Sequence, residues 1–260
     1  MALLKDYHTH LISSATLNRV VRTDFYISDI HQHSNQTDLL FINDGQDLLQ
    51  MDLKNWLNEM NAPLMVVGIH AGIDRKQEYG VAGMPDFMNR GARAEQYANF
   101  IMQELLPHVN NVLGDCTVRN KYVAGFSLGG LMAFDLAMEF PTDFNAAGVF
   151  SGSFWWRSKD LKDGYVEERD RIMHAKIRTK KHNAHQRFFL QTGALDEKAD
   201  RNKNGIIDSI DDTLDIIKEL ESIGFDKESQ IKYVELADGA HDLATWSRVM
   251  PGFLNWLSLK

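Results

Sequence analysis

A single cysteine, Cys116, excludes a disulfide within the chain. Proline is scarce as well: there are five among 260 residues, and no Pro/Gly/Ser-rich stretch divides the sequence. One domain spanning 1–260 is therefore the simpler expectation. No apolar run approaches the ~20 residues of a membrane-spanning helix, so no membrane partner is expected. The opening segment, "MALLKDYHTHLISS", has no basic start followed by a long apolar stretch. It shows no signal peptide, and a cytoplasmic location is expected. Positive charge is in deficit, with 28 Lys and Arg against 36 Asp and Glu and a net charge of -8. Such a surface repels phosphate backbones and argues against a nucleic-acid partner. Internal repeats and low-complexity tracts are missing too.

What is present is apolar and punctuated. Hydrophobic residues make up 44% of the chain, enough for a substantial core. They fall in short runs that read as strands buried on both faces: "DFYI", "LLFIN", "LMVVGI", "KYVAG", "AAGVF", "RFFLQTG" and "IKYVEL". Helical periodicity fills the spaces between them. One helix is expected from about Ala92 to Leu106, closed by Pro107, and another follows "GFSLGG" and closes at Pro141. "DDTLDIIKELESIG" starts on aspartate and stops at Gly224, and "HDLATWSRVMPGFLNWL" is the last helix. Alternating strands and helices predict an α/β fold, a mostly parallel central sheet with helices on both faces. The first two strands of this series are expected to pair antiparallel.

One motif carries chemistry. "KYVAGFSLGGLMAF" sets Gly125, Ser127 and Gly129 in the pattern G-x-S-x-G, between an apolar strand and an apolar helix. A serine at a sharp strand-to-helix turn lifts its hydroxyl above the sheet edge, and the glycines remove side chains that would collide across the turn. The next N–H, that of Leu128, is placed to bind an oxyanion, in the favourable field of a helix N-terminus. A nucleophilic serine needs a base. His241, in "ELADGAHDLATW", follows the strand "IKYVEL" and comes after Ser127 in the chain, as this arrangement requires. The base needs a carboxylate to fix its tautomer. "RFFLQTGALDE" offers Asp196 after a strand and a glycine turn, with Glu197 as the alternative. A second oxyanion donor is expected from the loop after an early strand. "LLFINDGQDL" fits, with Gly45 permitting a tight path and the N–H of Gln46 as the donor. The bland readings are a packing turn with an inert serine and a capping histidine.

The chain resembles the esterase family of α/β-hydrolases that takes in esterase D and the enterochelin-esterase-like proteins. "LLFINDGQD" is similar to the family's early strand and oxyanion loop. "VVGIHAGIDRKQEY" is similar to its next strand, with Arg75, Glu78 and Tyr79. "FIMQELLPHV", "GFSLGGLMA", "FPTDFNAAGVFSGSFWW" and "GAHDLATW" extend the resemblance over nearly the whole sequence. It implies an α/β-hydrolase fold in a single domain, with Ser127 as nucleophile, Asp196 as acid and His241 as base. It implies hydrolysis of a carboxylic ester through an acyl-enzyme, with no cofactor for catalysis. The family's substrates vary widely and the resemblance selects none; a small-molecule or carbohydrate/siderophore-type ester is expected. The resemblance also suggests Trp155, Trp156, Arg75 and Tyr79 around the substrate pocket. Core packing is the alternative for the Trp pair, and bracing of the fold for Arg75 and Tyr79.

One segment departs from the family pattern. "DRNKNGIIDSID", at about 200–211, reads as an inserted calcium loop. Its expected ligands are Asp200, Asn202, Asn204, the carbonyl of Ile206, Asp208 and Asp211, with Gly205 at the sharp turn. The expectation is a structural Ca2+ that pins the loop between acid and base. A solvated acidic loop is the alternative. Two histidine pairs, His8/His10 and His31/His33, suit a surface better than a metal site, since no third ligand is evident. Two other functions remain open at this point. One is a thioesterase or acyltransferase with the same triad. The other is a non-catalytic, calcium-dependent binding protein on a hydrolase fold.

Overall fold

The structure is a computed structural model that describes residues 7–28, 34–60 and 62–259. Eight strands form one sheet: β1 (His8–Ser14), β2 (Arg19–Ile27), β3 (Gln36–Asn43), β4 (Leu64–Ile69), β5 (Thr117–Phe126), β6 (Ala146–Phe150), β7 (Arg187–Leu195) and β8 (Ile231–Ala240). Their order across the sheet is β1-β2-β4-β3-β5-β6-β7-β8. The β1–β2 and β2–β4 pairs are antiparallel, and the other five are parallel. The architecture is the expected α/β one. The expected pairing of "DFYI" with "LLFIN" is corrected, because β4 lies between β2 and β3. All six residues of β4 are buried, so it needs a strand on either side.

The helices are α1 (Leu53–Glu59), α2 (Arg75–Glu78), α3 (Ala94–Phe100), α4 (Leu106–Leu113), α5 (Leu128–Glu139), α6 (Glu167–Asp170), α7 (Ile172–Ile177), α8 (Asp208–Ser222) and α9 (Leu243–Ser258). Successive strand residues face opposite layers, and the core divides accordingly. Leu39 and Phe41 of β3 pack with α3, α4, α5, α7 and α8, whereas Leu40 and Ile42 pack with α1 and α9. Pro107 does not end a helix as expected. A π turn, Ile101–Leu105, precedes it, with the N–H of Leu106 reaching back to the carbonyl of Ile101. This wider turn lets the chain run on through Pro107 to Leu113. Among the described residues no helix is long and apolar enough to cross a membrane.

Candidate active site

Five consecutive parallel pairings bring the C-terminal ends of β4, β3, β5, β6, β7 and β8 to one edge of the sheet, where open α/β sheets carry their sites. Registers decide what meets there. Phe126 of β5 pairs with Phe150 of β6, so Ser127 and Ser151 leave the sheet side by side. Leu195 of β7 pairs with Ala240 of β8, so Asp196 and His241 leave it abreast. The two turns touch through glycine: a Cβ on Gly193 would lie 2.4 Å from the carbonyl oxygen of Gly239.

Ser127 adopts φ 53°, ψ -119°, the strained elbow between β5 and α5. Its glycines are required by contact. A Cβ on Gly125 would stand 2.3 Å from the carbonyl oxygen of Gly129, and one on Gly129 would stand 2.6 Å from Asp44 Oδ2. The elbow is also tied to β3, since Asn43 Nδ2 donates to the Gly129 carbonyl at 2.8 Å and Tyr97 donates to Asn43 Oδ1 at 2.7 Å. Leu128 opens α5, where first-turn N–H groups have no partner within the helix.

Asp196 is held at both oxygens. Ser151 Oγ donates to Oδ1 at 3.1 Å, and the N–H of Gly193 donates to Oδ2 at 3.0 Å. Ser151 in turn accepts from Trp246 Nε1 at 3.0 Å. The His241 turn is clamped on both sides: the N–H of Ala240 donates to Thr245 Oγ1 at 2.9 Å, and Asp242 accepts from the N–H of Thr245 at 2.8 Å. The His241 ring meets Trp246 edge-on at 5.3 Å. Part of that ring reaches solvent, yet the protein around it lowers its pKa through burial, and the Asp196 carboxylate opposes the shift.

Ser127, Asp196 and His241 line one cavity of about 290 Å³, with Ser151, Gly152, Ser153, Trp155, Glu197 and Ser209. Ser127 Oγ lies 3.4 Å from Ser153 Oγ. Among the described residues no hydrogen bond joins His241 to Ser127 or to Asp196. Such bonds commonly tighten only when substrate is bound. A larger cavity, about 560 Å³, lies by Asp38, Arg119 and Arg187, at the opposite ends of the strands. It is remote from the elbow and is not the site of this chemistry.

The residues expected around the pocket separate. Trp155 lines the cavity. Trp156 is fully buried in the core, its Nε1 donating to the Met84 carbonyl at 3.2 Å and its ring covering Gly80 and Gly91. Tyr79 is likewise fully buried, and its hydroxyl accepts from the N–H of Asp44 at 3.2 Å. Arg75 grips Asp44 at both oxygens, 2.6 and 2.7 Å. Arg75 and Tyr79 therefore brace the loop after β3. That loop holds Gln46 at the start of a 3₁₀ turn, Gly45–Gln50. A Cβ on Gly45 would lie 2.3 Å from the Gly68 backbone, which explains the glycine. The Gln46 side chain accepts from the N–H of Ala71 at 3.0 Å.

The expected calcium loop has a different internal order. Asp208 accepts from the N–H of Arg201 at 2.9 Å and pairs with its guanidinium at 3.3 Å. Asn202 and Asn204 both donate through Nδ2 to Asp211, at 2.6 and 3.2 Å. Asp200 accepts from the N–H groups of Asn204 and Gly205, at 3.1 and 2.9 Å. Ile206 sits at the exposed turn, its N–H bonded to Asn204 Oδ1 at 2.8 Å. Among the described residues no three His, Cys, Asp or Glu side chains gather as a metal needs. A calcium ion is thus unsupported, and of the expected ligands Asp208 is taken up by Arg201. His10 stacks on Phe25 and bonds His108 at 3.0 Å, and His31 and His33 lie outside the described residues.

Residues 14–257 match the family described as "Putative esterase". The chain belongs to that family. Solved structures agree on the fold. The enterobactin esterase FES of Shigella flexneri, crystallised in the presence of enterobactin, has a TM-score of 0.73 at 18% identity, over 99% of this chain and 60% of that one. The siderophore hydrolase EstB of Aspergillus nidulans has 0.71 at 17%, over 97% and 96%. An IroE-like serine hydrolase of Shewanella oneidensis has 0.71 at 14%, over 95% and 78%. The chain spans about 60% of the length of the enterobactin esterases it matches. No curated protein matches it significantly in sequence. The elbow serine and the histidine were legible as motif and context. Ser151, Ser153, Asn43 and Asp44 were not, because small and polar residues at strand ends carry no pattern of their own.

Proposed function

We propose that the chain hydrolyses a small carboxylic ester of siderophore or carbohydrate type through an acyl-enzyme. Ser127 Oγ attacks the ester carbonyl carbon while His241 takes its proton. The carbonyl oxygen becomes an oxyanion, met by the N–H groups of Leu128 and Gln46. His241 then returns the proton to the departing alcohol as the C–O bond breaks, leaving the acyl group on Ser127. Water, deprotonated by His241, releases the acid. Asp196 orients the imidazole and stabilises its charged form. The observation that most supports this reading is the single cavity shared by Ser127, Asp196 and His241. The esters named for the solved neighbours support the siderophore-type substrate.

The test is hydrolysis of p-nitrophenyl esters from acetate to octanoate, alongside labelling with a fluorophosphonate. Ser127→Ala is expected to lose about 10⁴-fold or more in kcat and all labelling. A folded Ser127→Ala protein with wild-type turnover would sink the proposal.

A further inference from the structure

One wall of the cavity differs from the rest. It is built by the segment after β7 and the first turn of α8. Glu197 Oε1 and Ser209 Oγ are both shut off from solvent and both lack a hydrogen-bond partner. Both residues line the cavity that holds Ser127 and His241. They are neighbours, because the backbone N–H of Ser209 bonds the Glu197 carboxyl. Ser209 is only 7% exposed, so solvent does not satisfy its hydroxyl.

An unsatisfied buried polar atom costs about 1–3 kcal/mol. Two such atoms in one cavity wall are tolerable where a ligand completes them. The protein offers little else. Thr213 uses its hydroxyl on the Ser209 carbonyl, at 2.7 Å. Arg201, a cation of the same loop, is bound to Glu167, Asp208 and Asp212. The largest charges acting on Glu197 are negative: Asp208, Asp212 and Asp196. Burial, then Asp208, raises the Glu197 pKa above the ordinary carboxyl value. Negative charge therefore dominates this wall, which repels anions.

We propose that Glu197 and Ser209 form a polar subsite that takes a hydrogen-bond-donating group of the substrate, a hydroxyl or an ammonium. The same site rejects a carboxylate or phosphate at that position. This deepens the ester-hydrolase reading of Ser127 and rests on it. It also separates two adjacent acidic residues by role: Asp196 is bonded on both oxygens and faces the histidine turn, while Glu197 keeps one oxygen free for substrate.

Matched ester pairs test it. On the acyl side, p-nitrophenyl 3-hydroxybutyrate and 4-aminobutyrate are compared with the plain butyrate, and the hemisuccinate supplies an anion. On the alcohol side, glycerol monoacetate is compared with propyl acetate. The wild-type enzyme is expected to favour the donor-bearing member of at least one pair by about tenfold or more in kcat/KM, and to disfavour the hemisuccinate. Glu197→Ala and Ser209→Ala are each expected to bring that ratio close to one. Glu197→Gln keeps the hydroxyl preference and loses the ammonium preference. Binding of the same pairs to Ser127→Ala protein, read by calorimetry, gives the ratio without turnover, so failure of the subsite and failure of the nucleophile are distinguishable. Ratios near one for every pair in the wild type would overturn the proposal. So would a ratio that survives in both Glu197→Ala and Ser209→Ala. Loss of plain-ester turnover in Glu197→Ala with the ratio intact would make Glu197 the triad acid and overturn it equally.

Discussion

Ser151 carries a φ of 48° although it is not glycine. A left-handed backbone costs a serine about 1–3 kcal/mol, so something must retain it. The hydroxyl gives the reason: it bridges Trp246 Nε1 and Asp196 Oδ1, the one anchored in α9 and the other in the turn after β7. Under the proposed mechanism, that bridge makes Ser151 a positioning residue for Asp196 and thus for His241. Ser151→Ala keeps the backbone and deletes the bridge. It is expected to lower kcat by about 10–100-fold with KM little changed, the range seen when a partner that orients a functional group is removed. A steady-state split of kcat and KM decides it, and equal losses in wild-type-like binding would refute a positioning role. Nothing in "SGS" signals this role before folding. Ser127 was legible because its strand and helix flank it in sequence, whereas the partners of Ser151 come from elements 45 and 95 residues away.

At the scale of elements, period and burial made the strands from β2 to β8 legible, since wholly apolar runs have few alternatives in a chain of this length. The edge strand β1, "HTHLISS", was missed because its alternation is half polar and one face meets solvent. The contacts between α7 and α8 were not legible at all, because they are polar. Arg171 pairs with Asp212 at 2.9 Å and Asp215 at 2.8 Å, and His174 Nε2 donates to the Asp212 carbonyl at 3.0 Å. His174 is fully buried, and that burial, followed by the nearby Arg171, lowers its pKa to about 3. Folded protein therefore keeps the ring neutral, while the unfolded chain binds a proton below about pH 6.5. The depressed value means stability is fully present above pH 6.5 and erodes as pH falls toward 3. At pH 5 the loss from this one group is about 2 kcal/mol. Urea unfolding at pH 7 and pH 5 measures it. His174→Gln, which retains a donor for the Asp212 carbonyl, is expected to remove that part of the acid sensitivity. An unchanged pH dependence in the variant would show that His174 is not its source.

Across the whole molecule, a net charge of -8 has to be managed inside as well as outside the fold. The acidic loop after β7 shows how. Its spacing of Asp and Asn satisfied the pattern of a calcium loop, and one carboxylate of that pattern, Asp208, does meet a positive charge. That charge is Arg201, with its side chain only 6% exposed among Asp208 and two carboxylates outside the pattern, Glu167 and Asp212. Glu167 belongs to α6, far away in sequence, so this guanidinium pins the segment between β6 and β7 to α8 behind the cavity wall. Two outcomes follow from an internal cation. Chelation by EDTA is expected to leave the melting temperature and ester turnover unchanged, and added calcium to raise neither. Arg201→Met fills similar space without charge and leaves three buried or half-buried carboxylates facing one another. Breaking a buried pair in this way costs about 3–5 kcal/mol. Differential scanning calorimetry of wild type and variant, each with EDTA and with calcium, separates the possibilities. A melting temperature that rises with calcium in the wild type would mean that the loop takes a metal after all. An Arg201→Met protein as stable as the wild type would mean that Arg201 does not hold the loop.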